Sequence, residues 1–149
     1  MIKIYTSPSC SSCKKVKKWF DEQHIEYVEK NIFTSVLNPK ELKEILEKSE
    51  NGTDDIISKR SNIIKEGNVD IDSMTLNELI EFIKKNPSCL KRPIMVDDRK
   101  IQVGYNEEEI RSFIPAARRV AERNCSHFSS CDDCPSCNKD YQDFLKSIR

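Results

Sequence analysis

A pair of cysteines directly after the first strand pattern most constrains what this chain can fold into. Residues 2–6 alternate as a short strand, and apolar residues at helical spacing follow Cys13. The pattern predicts a strand, a turn that carries Cys10 and Cys13, and a helix. Unpaired N–H groups at the start of a helix stabilise a thiolate, and the two-residue spacing lets the two sulfurs meet. We therefore expect a reversible disulfide between Cys10 and Cys13.

Two other interpretations of this pair stay open at this point. The cysteines could fill a helix N-terminus as small apolar residues, or they could supply half of a zinc site. Seven cysteines would suggest a disulfide scaffold in a secreted chain, but the N-terminus lacks a charged segment followed by a long apolar one. We expect a cytoplasmic protein, in which a CxxC after a first strand favours redox chemistry.

Length and charge limit the classes of function. The 149 residues suit one domain plus whatever its ends carry. Lys and Arg total 25, as do Asp and Glu, so the net charge gives no reason to bind a polyanion unaided. No apolar run approaches the length of a membrane span, and we expect no membrane association.

The extended segments predict a small mixed sheet. Residues 27–28 and 32–33 supply a second strand, at a distance from the first that fits a βαβ crossover with parallel strands. Residues 93–96 and 101–103 flank a polar turn and predict a hairpin. Asn106 and Glu109 then cap a last helix that carries Ile110, Phe113 and Ile114.

Residues 38–88 have helical patterning throughout. A first helix should be capped by Asn38, with Glu41 completing a capping box, and should end at Asn51-Gly52. A second helix should stop near Gly67 and present one stripe of isoleucines: Ile56, Ile57, Ile63 and Ile64.

A third helix should follow Thr75, which forms a capping box with Glu78, and should end before Pro87. Cys89, which stands alone before a strand, is expected to be a small buried residue.

The order β-α-β, helical insertion, β-β-α predicts an α/β protein with a thioredoxin-like fold. The domain should span residues 1–115, with its core in 1–37 and 89–115 and the insertion in 38–88. Residues 116–149 should form a basic helix and a cysteine-rich tail. Such folds usually carry a proline opposite the CxxC, so we expect a cis bond between Arg92 and Pro93.

Several separate motifs resemble the Spx group of the arsenate-reductase-like (ArsC) family, from residue 1 to about residue 115. They are the start Tyr5-Thr6-Ser7-Pro8-Ser9-Cys10-Ser11-Ser12-Cys13, then Asn31-Ile32-Phe33, Gly52-Thr53-Asp54, Ile56-Ile57-Ser58-Lys59-Arg60-Ser61, Arg92-Pro93-Ile94 and Gln102-Val103-Gly104-Tyr105-Asn106-Glu107-Glu108-Glu109-Ile110.

The resemblance implies a regulator and not an enzyme. Spx-like proteins bind the C-terminal domain of the RNA polymerase α subunit and reprogramme transcription under thiol-oxidative stress, with the CxxC as the switch. Promoter DNA would be reached only through the polymerase complex. The resemblance also implies proteolysis assisted by an adaptor that reads the C-terminus, but the tail departs from the family pattern and leaves that control open.

The same resemblance implies roles for three further residues. Gly52 matches the glycine at the α-subunit contact, although a helix C-cap would explain a glycine there equally well. Arg92 matches an arginine near the redox pair, and Arg60 matches a position implicated in polymerase–promoter engagement. On sequence alone, both arginines could simply be solvated.

Two enzyme classes are the rivals. An arsenate reductase needs guanidinium groups around a nucleophilic cysteine, which Cys10 with Arg60 and Arg92 would supply in part, but the acidic run at residues 107–109 is a poor place for an oxyanion. A glutaredoxin-like oxidoreductase would use the same CxxC.

The tail carries four more cysteines within 13 residues, Cys125, Cys131, Cys134 and Cys137. They predict a tetrahedral zinc site, with His127 as an alternative ligand. An iron–sulfur cluster, free thiols or alternative disulfides are the other readings of this segment.

Overall fold

The computed structural model describes residues 1–34, 38–116 and 119. The predicted order of elements is confirmed. The strands are β1 (Ile2–Thr6), β2 (Tyr27–Asn31), β3 (Ile94–Val96) and β4 (Ile101–Val103), and the helices are α1 (Ser11–Glu22), α2 (Pro39–Lys48), α3 (Thr53–Ile56), α4 (Asn62–Gly67) and α5 (Leu76–Lys85). Three 3-10 helices span Ile71–Ser73, Pro87–Cys89 and Glu109–Phe113.

The chain divides into two compact units. The first comprises Met1–Trp19 with Tyr27–Tyr105, and the described part of the second comprises Phe20–Glu26 with residues 106–116 and 119. The expected parallel pair and hairpin are both present in the first unit, whose sheet has the order β2-β1-β3-β4. β1 runs parallel to β2 and antiparallel to β3, and β3 runs antiparallel to β4.

The core of the first unit lies between the sheet and the helices of the insertion. Tyr5, Ile94 and Val96 on the sheet join Leu42 and Ile45 of α2 and Leu79, Ile80 and Ile83 of α5 in one buried cluster. Burying each such aliphatic side chain contributes about 1.5–3 kcal/mol. The helical insertion is therefore held to the sheet by apolar packing.

Ion pairs fix α2 against the two parallel strands. Lys3 of β1 contacts Glu44 at 3.4 Å, and Lys30 of β2 pairs with Glu41. Burial and these two nearby carboxylates raise the pKa of Tyr5. Asn38 caps α2 as predicted by accepting from the N–H of Lys40, but the predicted box with Glu41 is wrong, because Lys30 takes that carboxylate.

The single helix predicted for the isoleucine stripe is wrong. Ile57 leaves the helical path to form a bridge with Leu90. Ser58 N–H donates to the Cys89 carbonyl, and Lys91 N–H donates to the Ile56 carbonyl, both at 2.8 Å. These long-range backbone bonds outweigh the local periodicity and divide the stripe between α3 and α4.

The third helix of the insertion forms as expected. Thr75 and Glu78 make the complete capping box of α5, which ends at Lys85 before Pro87. Cys89 is fully buried, as predicted.

In the second unit, the helix predicted after Asn106 is a 3-10 helix, Glu109–Phe113. The cap position is Glu108 and not Asn106, although Asn106 Oδ1 accepts from the N–H groups of Glu108 and Glu109 just before the helix. The ring of Phe113 packs against Phe20 with 5.6 Å between centroids.

Candidate functional site

Cys10 and Cys13 form the expected disulfide at the N-terminus of α1. Their Cα atoms are 5.2 Å apart, well inside the range that a disulfide spans. The local sequence explains this placement: β1 ends at Thr6, residues 7–10 turn, and α1 begins at Ser11. The two cysteines are therefore spaced by one helical turn, which lets their sulfurs meet at the end of the helix where the first N–H groups are unpaired.

The two sulfurs have different environments. Cys13 is 1% exposed, whereas Cys10 is half-buried. The backbone N–H of Cys13 donates to Cys10 Sγ at 3.1 Å, as it would to a thiolate at this position. Cys10 is therefore the sulfur that a reagent reaches first, and Cys13 is the internal partner that closes the disulfide.

Cys10 lines an open cleft of about 610 Å³ in the first unit. Three cationic side chains share the cleft: Arg60, Lys91 and Arg92. Seven serines line it as well, Ser7, Ser9, Ser11, Ser12, Ser58, Ser61 and Ser88. The cleft that Cys10 lines is therefore rich in polar and cationic residues, which suits it to an anionic group.

The segment before β3 brings Arg92 to the cleft. The bond between Arg92 and Pro93 is cis, as predicted, and Pro93 accepts a hydrogen bond from Gly104 N–H through its carbonyl at 2.8 Å. The Arg92 guanidinium lies 6.0 Å from the centroid of the half-exposed Phe33 ring, a cation–π distance.

Arg60 reaches the same cleft from the turn between α3 and α4. This turn exists because Ile57 pairs with Leu90, and Ser61 N–H closes it on the Ser58 carbonyl at 2.9 Å. The structure thus brings Cys10, Arg60 and Arg92 together, although they are far apart in sequence.

Gly52 is not among the residues that line the cleft. The expectation that it caps the end of the preceding helix is wrong, because α2 ends at Lys48 with Ser49 as its cap. Gly52 is instead the N-cap residue of α3, with φ 60° and ψ −124°, a conformation that L-residues rarely adopt. A Cβ there would meet no heavy atom within 4 Å, so the surface beside it is open.

Sequence reasoning missed Lys91 and the serines of the cleft. Lys91 Nζ donates to the Asp54 carbonyl at 2.6 Å, which ties this lysine to α3. These residues come from separated segments and follow no local spacing. The serines beside Cys10 were visible only as turn formers.

Over residues 1–34, 38–116 and 119, no group of three or more His, Cys, Asp or Glu side chains could hold a metal ion. Cys125, Cys131, Cys134 and Cys137 lie outside the described residues. Within the described ranges, no helix is both long and apolar enough to cross a membrane.

A mixed sheet of order β2-β1-β3-β4, a CxxC disulfide at the start of α1 and a cis-proline before β3 together define a thioredoxin-fold protein. Residues 5–113 match the model of the ArsC family.

Relatives place the chain more narrowly. Global transcriptional regulator Spx of Listeria innocua is 53% identical over 120 residues, which span 80% of this chain and 90% of that protein. Global transcriptional regulator Spx of Streptococcus pneumoniae is 48% identical over 122 residues, 82% of this chain and 92% of its own. The chain therefore belongs to the ArsC family, and within it to the Spx group.

Solved structures agree in fold. An ArsC family related protein from Bacteroides fragilis has a TM-score of 0.65 at 29% identity and covers 74% of this chain and 95% of its own. Arsenate reductase from Vibrio cholerae has a TM-score of 0.63 at 20% identity, and the match covers 74% of this chain and 95% of that one. Regulators and enzymes therefore share this architecture.

Proposed function

We propose that this protein is a redox-sensing global transcriptional regulator that binds the C-terminal domain of the RNA polymerase α subunit. The observation that carries the proposal is the identity of about half to proteins named global transcriptional regulator Spx, over nine-tenths of their length. Identity at this level extends across the whole fold, not only across the CxxC.

The disulfide supplies the sensor chemistry. Oxidation joins Cys10 and Cys13 with loss of two protons and two electrons to an oxidant such as peroxide, which is reduced to water. Reduction by an external thiol reverses the step. Half-exposed Cys10 admits the oxidant, and buried Cys13 lies close enough to complete the bond.

A continuous backbone connection supports transmission from the sulfurs to Gly52. Arg92 shares the cleft with Cys10, and the neighbouring Lys91 is bonded to Ile56 at the end of α3. Gly52 is the N-cap residue of the same four-residue helix. A shift of Arg92 on oxidation would therefore reach the proposed contact surface through one short helix.

Promoter DNA enters this proposal only through the polymerase complex. The chain has 25 basic and 25 acidic residues, so non-specific attraction to a polyanion is weak. Arg60 is exposed and lines the cleft, and we assign this residue to polymerase–promoter engagement.

The cationic cleft beside Cys10 favours one second candidate, a thiol oxidoreductase such as an arsenate reductase or a glutaredoxin-like enzyme. Such an enzyme would turn over arsenate or a mixed disulfide in the presence of a thiol reductant. The two candidates share Cys10 and differ in whether substrate is consumed.

The deciding experiment measures calorimetric binding of the purified α C-terminal domain to reduced protein, oxidised protein and a Cys10→Ser, Cys13→Ser double variant. The double variant cannot form the bond and is the matched control. We expect affinity to change with redox state in the native chain and to be insensitive to redox state in the variant. Absence of binding by every form, together with turnover of arsenate or of a disulfide substrate, would establish the enzyme instead.

A further inference from the structure

Phe33 is a large apolar side chain whose place core packing does not explain. Its side chain is 50% exposed, although the neighbouring Ile32 is 2% exposed and lies in the core of the first unit. Two hydrogen bonds fix the backbone here. Ile32 N–H donates to the Thr6 carbonyl at 3.0 Å, and Phe33 N–H donates to Asn31 Oδ1 at 2.9 Å. The ring is thus anchored to the end of β1, from which the chain turns toward Cys10.

The Phe33 ring contacts Arg92, whose guanidinium carbon lies 6.0 Å from the ring centroid. Over the part of the chain that the structure describes, Arg92 has no carboxylate partner. Its backbone is fixed by the cis bond to Pro93, whose carbonyl accepts from Gly104 N–H. Within the described residues, the contact with the ring is therefore the interaction that orients the guanidinium.

An aromatic ring holds a cation without cancelling its charge. A carboxylate in the same place would pair with Arg92 and lower the positive potential of the cleft. Arg92, Arg60 and Lys91 all line this cleft, and none of the described residues that line it is acidic. Arg60 is exposed, and Lys91 Nζ is bonded to the Asp54 carbonyl, whereas Arg92 is half-buried and keeps its full charge. A partly buried charge is screened less by salt than an exposed one.

We propose that Phe33 is a positioning residue for the redox pair, and that its ring holds the Arg92 guanidinium where it favours the Cys10 thiolate. Phe33 does not line the cleft and therefore acts through Arg92. Without the ring, the long arginine side chain gains rotamers that point to solvent, and the reactive form of Cys10 becomes less populated. The inference rests on the proposed redox function, because the thiolate matters only if Cys10 is the sensor.

The test measures the rate at which iodoacetamide alkylates Cys10 as a function of pH, in the full chain with Cys13→Ser as the common background. Cys13→Ser prevents the disulfide, and peptide mass spectrometry follows Cys10 separately from the other cysteines. We expect Phe33→Leu to raise the pH of half-maximal rate and to slow alkylation below that pH about 2–5-fold, the factor that a cation–π contact at an exposed site supplies. The plateau rate at high pH should not change, because Cys10 is fully deprotonated there.

Three further variants separate the role of the ring from a general effect on the fold. Phe33→Tyr keeps the aromatic face and should restore the rate of the parent protein. Leu76→Ala removes another exposed apolar side chain, one that does not line the cleft, and should behave as the parent does. In an Arg92→Gln background, Phe33→Leu should have no additional effect, because two residues that act as a unit are not additive.

The outcomes distinguish failure of this inference from failure of the proposed function. An unchanged pH profile in Phe33→Leu would overturn the role of Phe33 and leave the sensor intact. So would a slowing that persists in the Arg92→Gln background, or one that Phe33→Tyr shows to the same extent. A parent protein in which Cys10 titrates as a free thiol does, at about pH 8.5, would overturn both, because the proposed sensor needs an activated cysteine.

Discussion

The backbone at Gly52 allows two effects of a substitution to be separated. Gly52→Arg should abolish binding of the α subunit, because a side chain of that size would hold the two surfaces apart. Gly52 has φ 60° and ψ −124°, a region in which an L-residue costs about 1–3 kcal/mol. Part of any loss in Gly52→Arg would therefore come from the fold and not from the contact.

Gly52→Ala is the control that isolates the backbone term. Its Cβ would meet no heavy atom within 4 Å, so it adds strain without a clash. Replacing glycine also restricts the unfolded chain, which returns about 0.4–1 kcal/mol. We expect both variants to lose about 1–2 kcal/mol of stability, which lowers Tm by about 4 °C for each kcal/mol in a domain of this size.

The assay pairs urea unfolding with calorimetric titration of the α C-terminal domain. We expect equal stability losses in the two variants, near-native affinity in Gly52→Ala and no binding by Gly52→Arg. Native stability in Gly52→Ala would refute the backbone argument. Equal affinities for the two variants would move the contact surface away from Gly52.

Two further predictions concern the Cys10–Cys13 pair and the stability of the fold at low pH. Peroxide or diamide should form the Cys10–Cys13 disulfide reversibly. In reduced protein, iodoacetamide should label Cys10 before Cys13, which is 1% exposed. Mass spectrometry that finds both sulfurs labelled after oxidation, or Cys13 labelled first in reduced protein, would contradict this. Hydrogen bonds from Thr6 and Lys17 lower the pKa of Glu29 from its usual 4.5. The contribution of Glu29 to the free energy of unfolding is thus complete above pH 4.5 and is lost as pH falls through the folded-state pKa. In Glu29→Gln, the free energy of unfolding from urea titrations should therefore fall less steeply as pH decreases in acid. An unchanged pH profile would contradict the assignment.

Local signals in the sequence predicted the elements that depend on them. Thr75 and Glu78 predict the start of α5, because both residues of the capping box lie within one helical turn. The disulfide was likewise predictable from local sequence, because Cys10 and Cys13 both lie at one strand–helix junction. Only the resemblance to a family, and no local pattern, pointed to Arg92, which lines the same cleft as Cys10.

Long-range contacts decided what the sequence could not predict. The bridge from Ile57 to Leu90 breaks a stripe that is periodic enough for one helix. Lys30 takes the carboxylate that was assigned to a cap, because parallel pairing of the strands brings it over α2. Lys91 joins the cleft only when the bridge forms, so no spacing in its own segment marks it.

Under the proposed redox function, the unequal exposure of the two sulfurs would protect the site from irreversible damage. Peroxide converts a thiolate first to a sulfenic acid, and a second peroxide converts that to a sulfinic acid, which ordinary thiols cannot reduce. Cys13 is within bonding distance of Cys10 and is shielded from solvent, so in the proposed redox function it would be placed to condense with the sulfenic acid ahead of a second peroxide molecule. Under the proposed redox function, each oxidation would therefore end in a disulfide, which an external thiol can reduce.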